Sequence, residues 1–315
     1  MRCDLSKTAF AVAVITLACV TARPQTITAD EIVSRAADQV PVYLDKFRNL
    51  MSRETKTIES FAKNGELKRR RRVESTFLIY QSTRDEGLFA EYRNVVAVDG
   101  KPLEGADKRA ADLFDRVRKA ETSAAELRRL EDEGSRFDGD LSVTGMTFFQ
   151  GVALFGHIRP SMEFRLKGTA AIDGSQTFVV DYLQTAPSPY VTTDPRRLPR
   201  DGKTPVIYDL DHDGLIDGRL RGTLWIDAAT FQIRRELREF AVQTPGASAP
   251  VTAARDSFEY VASEFGILTP RKIVVTTFRI DAKKGASRED ERITMEYERF
   301  TRPDVEVRSS DVRSP

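Results

Sequence analysis

The sequence predicts an α+β protein: a large antiparallel β-sheet packed on an N-terminal helix and a mid-chain helical block. Three observations carry this. Apolar residues recur at helical spacing from Ile32 to Leu50. Later segments are short extended runs joined by tight turns, which favours an antiparallel meander over βαβ crossovers. Between them, residues 107–136 return to a helical pattern.

The chain opens with Arg2 and Lys7, then an uncharged apolar run from Thr8 to Val20, then small residues at Val20-Thr21-Ala22. This is the anatomy of a secretory signal peptide over residues 1–22, and the run is short for a membrane span. Leu17-Ala18-Cys19 also resembles a bacterial lipoprotein box, with Thr16 where Leu is usual. Cleavage after Ala22 is the expectation, and a lipid anchor at Cys19 the alternative. Either way the protein is expected to be periplasmic or secreted. The rest of the chain reads as one domain over residues 23–302, with a helical insertion at 107–158 and a frayed tail at 303–315.

Thr28 and Glu31 form a capping box at the start of the first helix, with apolar residues at Ile32, Val33, Ala36, Val40, Tyr43, Leu44 and Phe47 on one face. Pro41 is placed to kink it. Strands are expected at Thr55–Phe61 and Leu67–Tyr80 around an Asn64-Gly65 turn, and at Leu88–Val98 up to Asp99-Gly100. In the helical block, Leu113, Phe114, Val117, Ala124, Leu127 and Leu130 supply the apolar face. Residues 145–158, GMTFFQGVALFGHI, read as a short helix. Seven further strands follow: Met162–Lys167, Gln176–Leu183, Arg219–Asp227, Phe231–Val242, Ser257–Glu264, Arg271–Ile280 and Glu291–Phe300. Five prolines between Thr185 and Pro205 mark a long loop.

Composition removes several functional classes. The chain has 315 residues with 49 Lys+Arg against 48 Asp+Glu, so no basic surplus is available for nucleic acid. Its only cysteines, Cys3 and Cys19, lie in the export segment, which leaves the body without disulfides, thiolate metal sites or cysteine nucleophiles. Only His157 and His212 exist, and neither Gly-x-Ser-x-Gly nor His-Glu-x-x-His occurs. Gly202-Lys203-Thr204 lacks the partner glycine of a phosphate loop, since Arg197 stands there and Pro205 follows. After the export segment, no stretch is long and apolar enough to be a transmembrane helix.

Three constellations remain. Asp209, Asp211 and Asp213 hold positions 1, 3 and 5 of a calcium loop, Gly214 makes the turn, the Leu215 carbonyl is a further ligand and Asp217 fits position 9. Leu220 stands where a bidentate Glu is needed, so the candidate cofactor is a weakly held Ca2+ and the alternative an acidic turn without metal. Arg69–Arg72 lie in an expected strand whose alternation puts two on each face; they read either as an anion or phospholipid headgroup site or as a solvated edge strand. In 145–158, Phe148, Phe149, Leu154 and Phe155 form either core or a lid over an apolar ligand cavity.

The stretch Gly222-Thr-Leu-Trp225-Ile-Asp227-Ala-Ala-Thr230-Phe-Gln-Ile-Arg234-Arg-Glu236 resembles a phrase of the bacterial outer-membrane lipoprotein-sorting proteins, the LolA, LolB and LppX group, as does Phe265-Gly266-Ile-Leu-Thr-Pro270. Phe89–Pro102 with Arg109 and Leu113-Phe114 also resembles a family of exported bacterial proteins without assigned activity. The resemblance implies an open, strongly curved, half-barrel-like sheet over helices, with an apolar cavity for acyl chains. The helical block is larger here, and the acidic loop is an insertion. The first functional expectation is a non-enzymatic envelope protein binding a lipid or lipidated partner between sheet and helices. A calcium-stiffened structural or interaction module is the second, and a carboxylate-pair hydrolase the third.

Overall fold

The computed structural model describes residues 27–48, 50–82, 84–85, 88–137, 147, 150–187, 216–244, 249–281 and 284–302. The expected signal peptide (residues 1–22), the acidic stretch from Asp209 to Leu215 and residues 303–315 lie outside these residues.

The described chain runs α1 (Ala29–Phe47), β1 (Met51–Phe61), β2 (Leu67–Gln81), β3 (Phe89–Val98), β4 (Lys101–Pro102), α2 (Ala106–Arg118), α3 (Ser123–Gly134), β5 (Met162–Ile172), β6 (Ser175–Gln184), β7 (Ile216–Asp227), β8 (Ile233–Gln243), β9 (Val251–Ala262), β10 (Leu268–Asp281) and β11 (Ala286–Tyr297). The strands form one open antiparallel sheet in the order β4-β3-β2-β1-β11-β10-β9-β8-β7-β6-β5. Neighbours in the sheet are neighbours in sequence except at one seam. There β1 pairs with β11, bringing Ile58 opposite Ile293 and Glu54 opposite Tyr297.

The helix α1 forms where the periodicity places it. The Thr28 hydroxyl caps it by accepting from the Glu31 amide at 3.2 Å, and Asp30 and Glu31 favour the positive end of its dipole. Pro41 does not interrupt it. The residue faces water, so the carbonyl left without an amide partner can be solvated. The opposite stripe, from Ile32 to Phe47, is buried on the sheet. Phe47 packs its ring 5.1 Å from Phe300 and Tyr43 stacks 5.0 Å away, which ties the helix to the chain leaving β11.

Turns expected from residue type close the hairpins. Asp99-Gly100 and Asp173-Gly174 both adopt positive φ at both residues, the geometry that matches strand twist in a two-residue turn. Between β7 and β8, Asp227 builds the connection itself. Its Oδ1 accepts from the Ala229 and Thr230 amides at 3.0 and 2.9 Å, and its Oδ2 accepts from Arg234 Nε at 2.6 Å. Burial works against its charge, but these bonds outweigh it and hold the carboxyl below its ordinary range.

The structure departs from the sequence reading in two places. The described part of 145–158 is irregular: its only helical turn is a single 3-10 turn at Val152–Leu154, and another follows at Arg159–Ser161. Gly151 explains this. Its φ is +60°, and a Cβ there would stand 2.4 Å from Ile233 Cδ1, so the chain makes a sharp close approach where a helix would have to continue. The helical block also does not share α1's face. Phe77 and Ile79 of β2 point into the core beneath α1, whereas Leu78 and Tyr80 alternate outward and join Ala90 and Tyr92 against Leu113, Val117 and Leu130 of α2 and α3. The sheet is therefore covered on both faces at this corner.

Candidate functional site

The face of the sheet beneath α1, called the inner face below, is largely apolar but carries two buried charged clusters. Strand alternation sets both. On β1, Glu54 and Lys56 share the inner face with Ser75 and Phe77 of β2 and with Glu91 and Arg93 of β3. Arg93 Nε donates to Glu54 Oε1 at 2.7 Å, and its Nη2 donates to Glu54 Oε2 and to Glu91 Oε2, each at 3.0 Å. Its guanidinium also lies over the Phe77 ring at 5.1 Å. Two cations and two carboxylates balance, which is what permits charges this deep. Burial opposes ionisation of Glu54, but Arg93 and Lys56 outweigh it and hold the carboxyl below its ordinary range.

The second cluster lies across β8 and β9. Arg238 Nε donates to Glu236 Oε1 at 3.0 Å, Tyr182 donates its hydroxyl to the same oxygen at 3.2 Å, and the guanidinium sits 4.6 Å over the Phe258 ring. Arg238 faces Asp256 on the neighbouring strand, with Nη1 4.0 Å from Oδ2. Burial pushes the Asp256 carboxyl well above its ordinary value, which disfavours its charged form, while Glu236 and Arg238 pair directly.

Both clusters end on one strap of chain, residues 147–158. The Thr147 amide donates to Glu91 Oε1 at 2.7 Å, and its carbonyl accepts from the Tyr43 hydroxyl at 3.0 Å. Its hydroxyl lies 2.5 Å from that of Tyr297. Four residues on, the Gly151 amide donates to Glu236 Oε2 at 3.2 Å. Burial first, and neighbouring tyrosines and Glu91 next, push the Tyr43 hydroxyl well above its ordinary value, so it remains a donor. The described residues of the strap, 147 and 150–158, are thus pinned by side chains of the sheet and α1, without a β-ladder.

Two of the expected lid residues are described. Leu154 and Phe155 are buried in the main core, with Val152, Ala153 and Ile158. Phe148 and Phe149 lie outside the described residues. So do Asp209, Asp211, Asp213 and Leu215, while Asp217 is the second residue of β7 and only its backbone is described. Among the described residues, no group of three His, Cys, Asp or Glu could hold a metal ion. His157 is exposed, its ring 5.8 Å from Phe155.

The four consecutive arginines separate by face. Arg70 and Arg72 point outward to carboxylates: Arg70 Nη2 lies 2.7 Å from Glu59 and Arg72 Nε 3.2 Å from Glu74. Arg69 and Arg71 point to the inner side and line a cavity of about 490 Å³ at one end of the sheet.

Sequence reasoning missed both charged clusters. A signal was present: Glu91-Tyr-Arg93 and Glu236-Leu-Arg238 each set an acid and an arginine two apart in a strand, hence on one face. Nothing local in that pattern says which face is buried.

No protein-family model matches the sequence, and no curated protein matches it. Among solved structures, a domain described as an outer membrane lipoprotein-sorting protein from Vibrio parahaemolyticus covers 88% of this chain and 94% of its own, at 9% identity and a TM-score of 0.36. A LolA superfamily protein from Nitrosomonas europaea covers 89% and 96%, at 11% identity and a TM-score of 0.30. The lipoprotein LppX of Mycobacterium tuberculosis covers 86% and 97%, at 9% identity and a TM-score of 0.26. These belong to the group that the sequence resembles.

Proposed function

We propose that this is a non-enzymatic protein of the bacterial envelope that binds an apolar ligand, a lipid or the acyl chain of a lipidated partner, on the inner face beneath the 147–158 strap. The observation that supports the reading is the way the strap is held. Its buried side chains cover apolar sheet surface, yet its described backbone bonds to the sheet are side-chain contacts at Thr147 and Gly151. A cover held this way opens at lower cost than a laddered strand, and opening it would expose a largely apolar surface that also carries Glu91 and Glu236, released from their strap amides.

Binding, not catalysis, fits the polar groups. Glu54, Glu91 and Glu236 are each engaged by an arginine, and the last two also by a strap amide. Among the described residues, no helix is long and apolar enough to cross a membrane.

The test is native mass spectrometry of protein purified from a bacterial periplasm, followed by titration of the delipidated protein with a dansylated fatty acid. A co-purifying lipid mass and saturable fluorescence enhancement are expected. No lipid mass together with no enhancement, in both the wild type and a strap-loosened Glu91→Ala variant, would overturn the reading.

A further inference from the structure

We infer that the cavity at the end of the sheet is a binding site for an organic phosphate, its anion held by Lys68, Arg69 and Arg71 and its substituent resting on Ile58, Phe61 and Phe137. The site stands apart from the strap, none of whose residues lines it, and it does not depend on the function proposed above.

The argument begins with the asymmetry of the arginine run. Four identical side chains alternate across one strand, so their environments differ only by face. On the outer face Arg70 and Arg72 are neutralised by Glu59 and Glu74. Among the described residues of the inner face, Arg69 forms no ion pair, and the Arg71 guanidinium bonds only the Phe137 carbonyl, at 3.2 Å. Lys68, at the bulge where the β1–β2 register shifts, turns toward the same cavity and also forms no ion pair among the described residues. A strand edge that merely repels other strands needs charge, but it has no need to collect unneutralised cations around a hollow.

The wall adds a fourth cation, Arg279, and two acids, Asp290 and Glu291. Arg279 is already paired with Asp290. The lining therefore carries a positive surplus that matches a phosphate dianion. Arg69 and Arg71 are two residues apart on one strand face, about 6.5–7 Å, a span that a phosphoryl group can bridge. Guanidinium forks match phosphate oxygens in pairs, and the bond from Arg71 to Phe137 limits the freedom of that fork in advance.

The cavity's size and wall argue for an esterified phosphate. A volume of about 490 Å³ is far more than one phosphoryl group fills, and Ile58, Phe61 and Phe137 offer an apolar wall for the remainder. A phospholipid headgroup and a small soluble phosphate ester share this chemistry.

The experiment compares the wild-type full chain with an inner pair, Arg69→Gln with Arg71→Gln, and an outer pair, Arg70→Gln with Arg72→Gln. Each is titrated calorimetrically with glycerol 3-phosphate and with inorganic phosphate, and sedimented with phosphatidylcholine vesicles with or without phosphatidic acid. The wild type is expected to bind in at least one phosphate-bearing arm. The inner pair should weaken that binding by about tenfold or more, and the outer pair by less than about twofold. Binding only to phosphatidic acid vesicles assigns the lipid source, and binding only to glycerol 3-phosphate the soluble one. Binding to inorganic phosphate as tightly as to the ester would remove the role given to the apolar wall and overturn the proposal. Equal losses in the inner and outer pairs would reduce it to diffuse surface charge and overturn it, as would wild type that binds in no arm. Circular dichroism melting checks each variant, and the single Lys68→Gln variant, expected to lose several-fold in the same arm, replaces the inner pair should that pair not fold.

Discussion

Arg93 grips Glu54 with two parallel hydrogen bonds, 2.7 Å from Nε to Oε1 and 3.0 Å from Nη2 to Oε2, and both side chains are almost wholly out of water, at 3% and 0% exposed. The pair joins β3 to β1 across the intervening β2. Removing the Glu54 charge leaves two buried cations, Arg93 and Lys56, against the single carboxylate of Glu91, so Glu54→Gln is expected to cost about 3–5 kcal/mol. Urea denaturation at pH 7 measures it.

The same pair makes the fold acid-sensitive. Although burial opposes it, Arg93 and Lys56 depress the Glu54 carboxyl in the folded state. A carboxyl with a lowered folded value contributes stability above its unfolded value, near pH 4. That contribution is lost as pH falls through the folded value. Urea midpoints should therefore fall below about pH 4, and Glu54→Gln should flatten this part of the profile. An unchanged slope in the variant would assign the acid sensitivity elsewhere.

Asp256 should behave in the opposite sense. Burial raises its carboxyl in the folded state, so it costs nothing below its unfolded value, about 3.9. Its penalty grows as pH rises from there toward the folded value. Asp256→Asn removes the penalty while keeping the shape. The variant is expected to melt about 2–4 °C above wild type at pH 7 and level with it near pH 3. A lower melting point at pH 7 would mean that Asp256 is ionised against Arg238.

Tyr43 links α1 to the strap through one hydroxyl, which donates to the Thr147 carbonyl. Tyr43→Phe keeps the stack on Phe47 and deletes that bond, at a cost of about 1 kcal/mol. Hydrogen exchange should accelerate in peptides covering 147–151 and stay unchanged across β7 and β8. Uniform acceleration would argue that the strap opens only with the whole domain.

Gly222 sits on the inner face of β7 beneath Tyr182. A Cβ there would lie 2.1 Å from the Leu237 carbonyl oxygen and 2.5 Å from the Tyr182 hydroxyl. A ladder carbonyl cannot step aside as a flexible side chain can, so Gly222→Ala is expected to cost about 3 kcal/mol. Loss of soluble yield, or a lowered urea midpoint, checks it.

What could be read from the chain alone was what short stretches decide for themselves. The cap at Thr28, the stripe from Ile32 to Phe47, and the turns at Asp99-Gly100 and Asp173-Gly174 depend on a few residues whose backbone preferences act locally. Period-two alternation likewise placed two of the four arginines on each face. Three things were decided only in the folded chain. The β1–β11 seam joins residues such as Ile58 and Ile293, and no local signal spans that separation. Which face of the sheet would be dry depended on where α1, α2 and α3 settled. The buried pairings of Arg93 with Glu54, and of Arg238 with Glu236, followed from both. Alternation says which residues share a face, but only packing removes the water that turns a surface charge pair into a buried one.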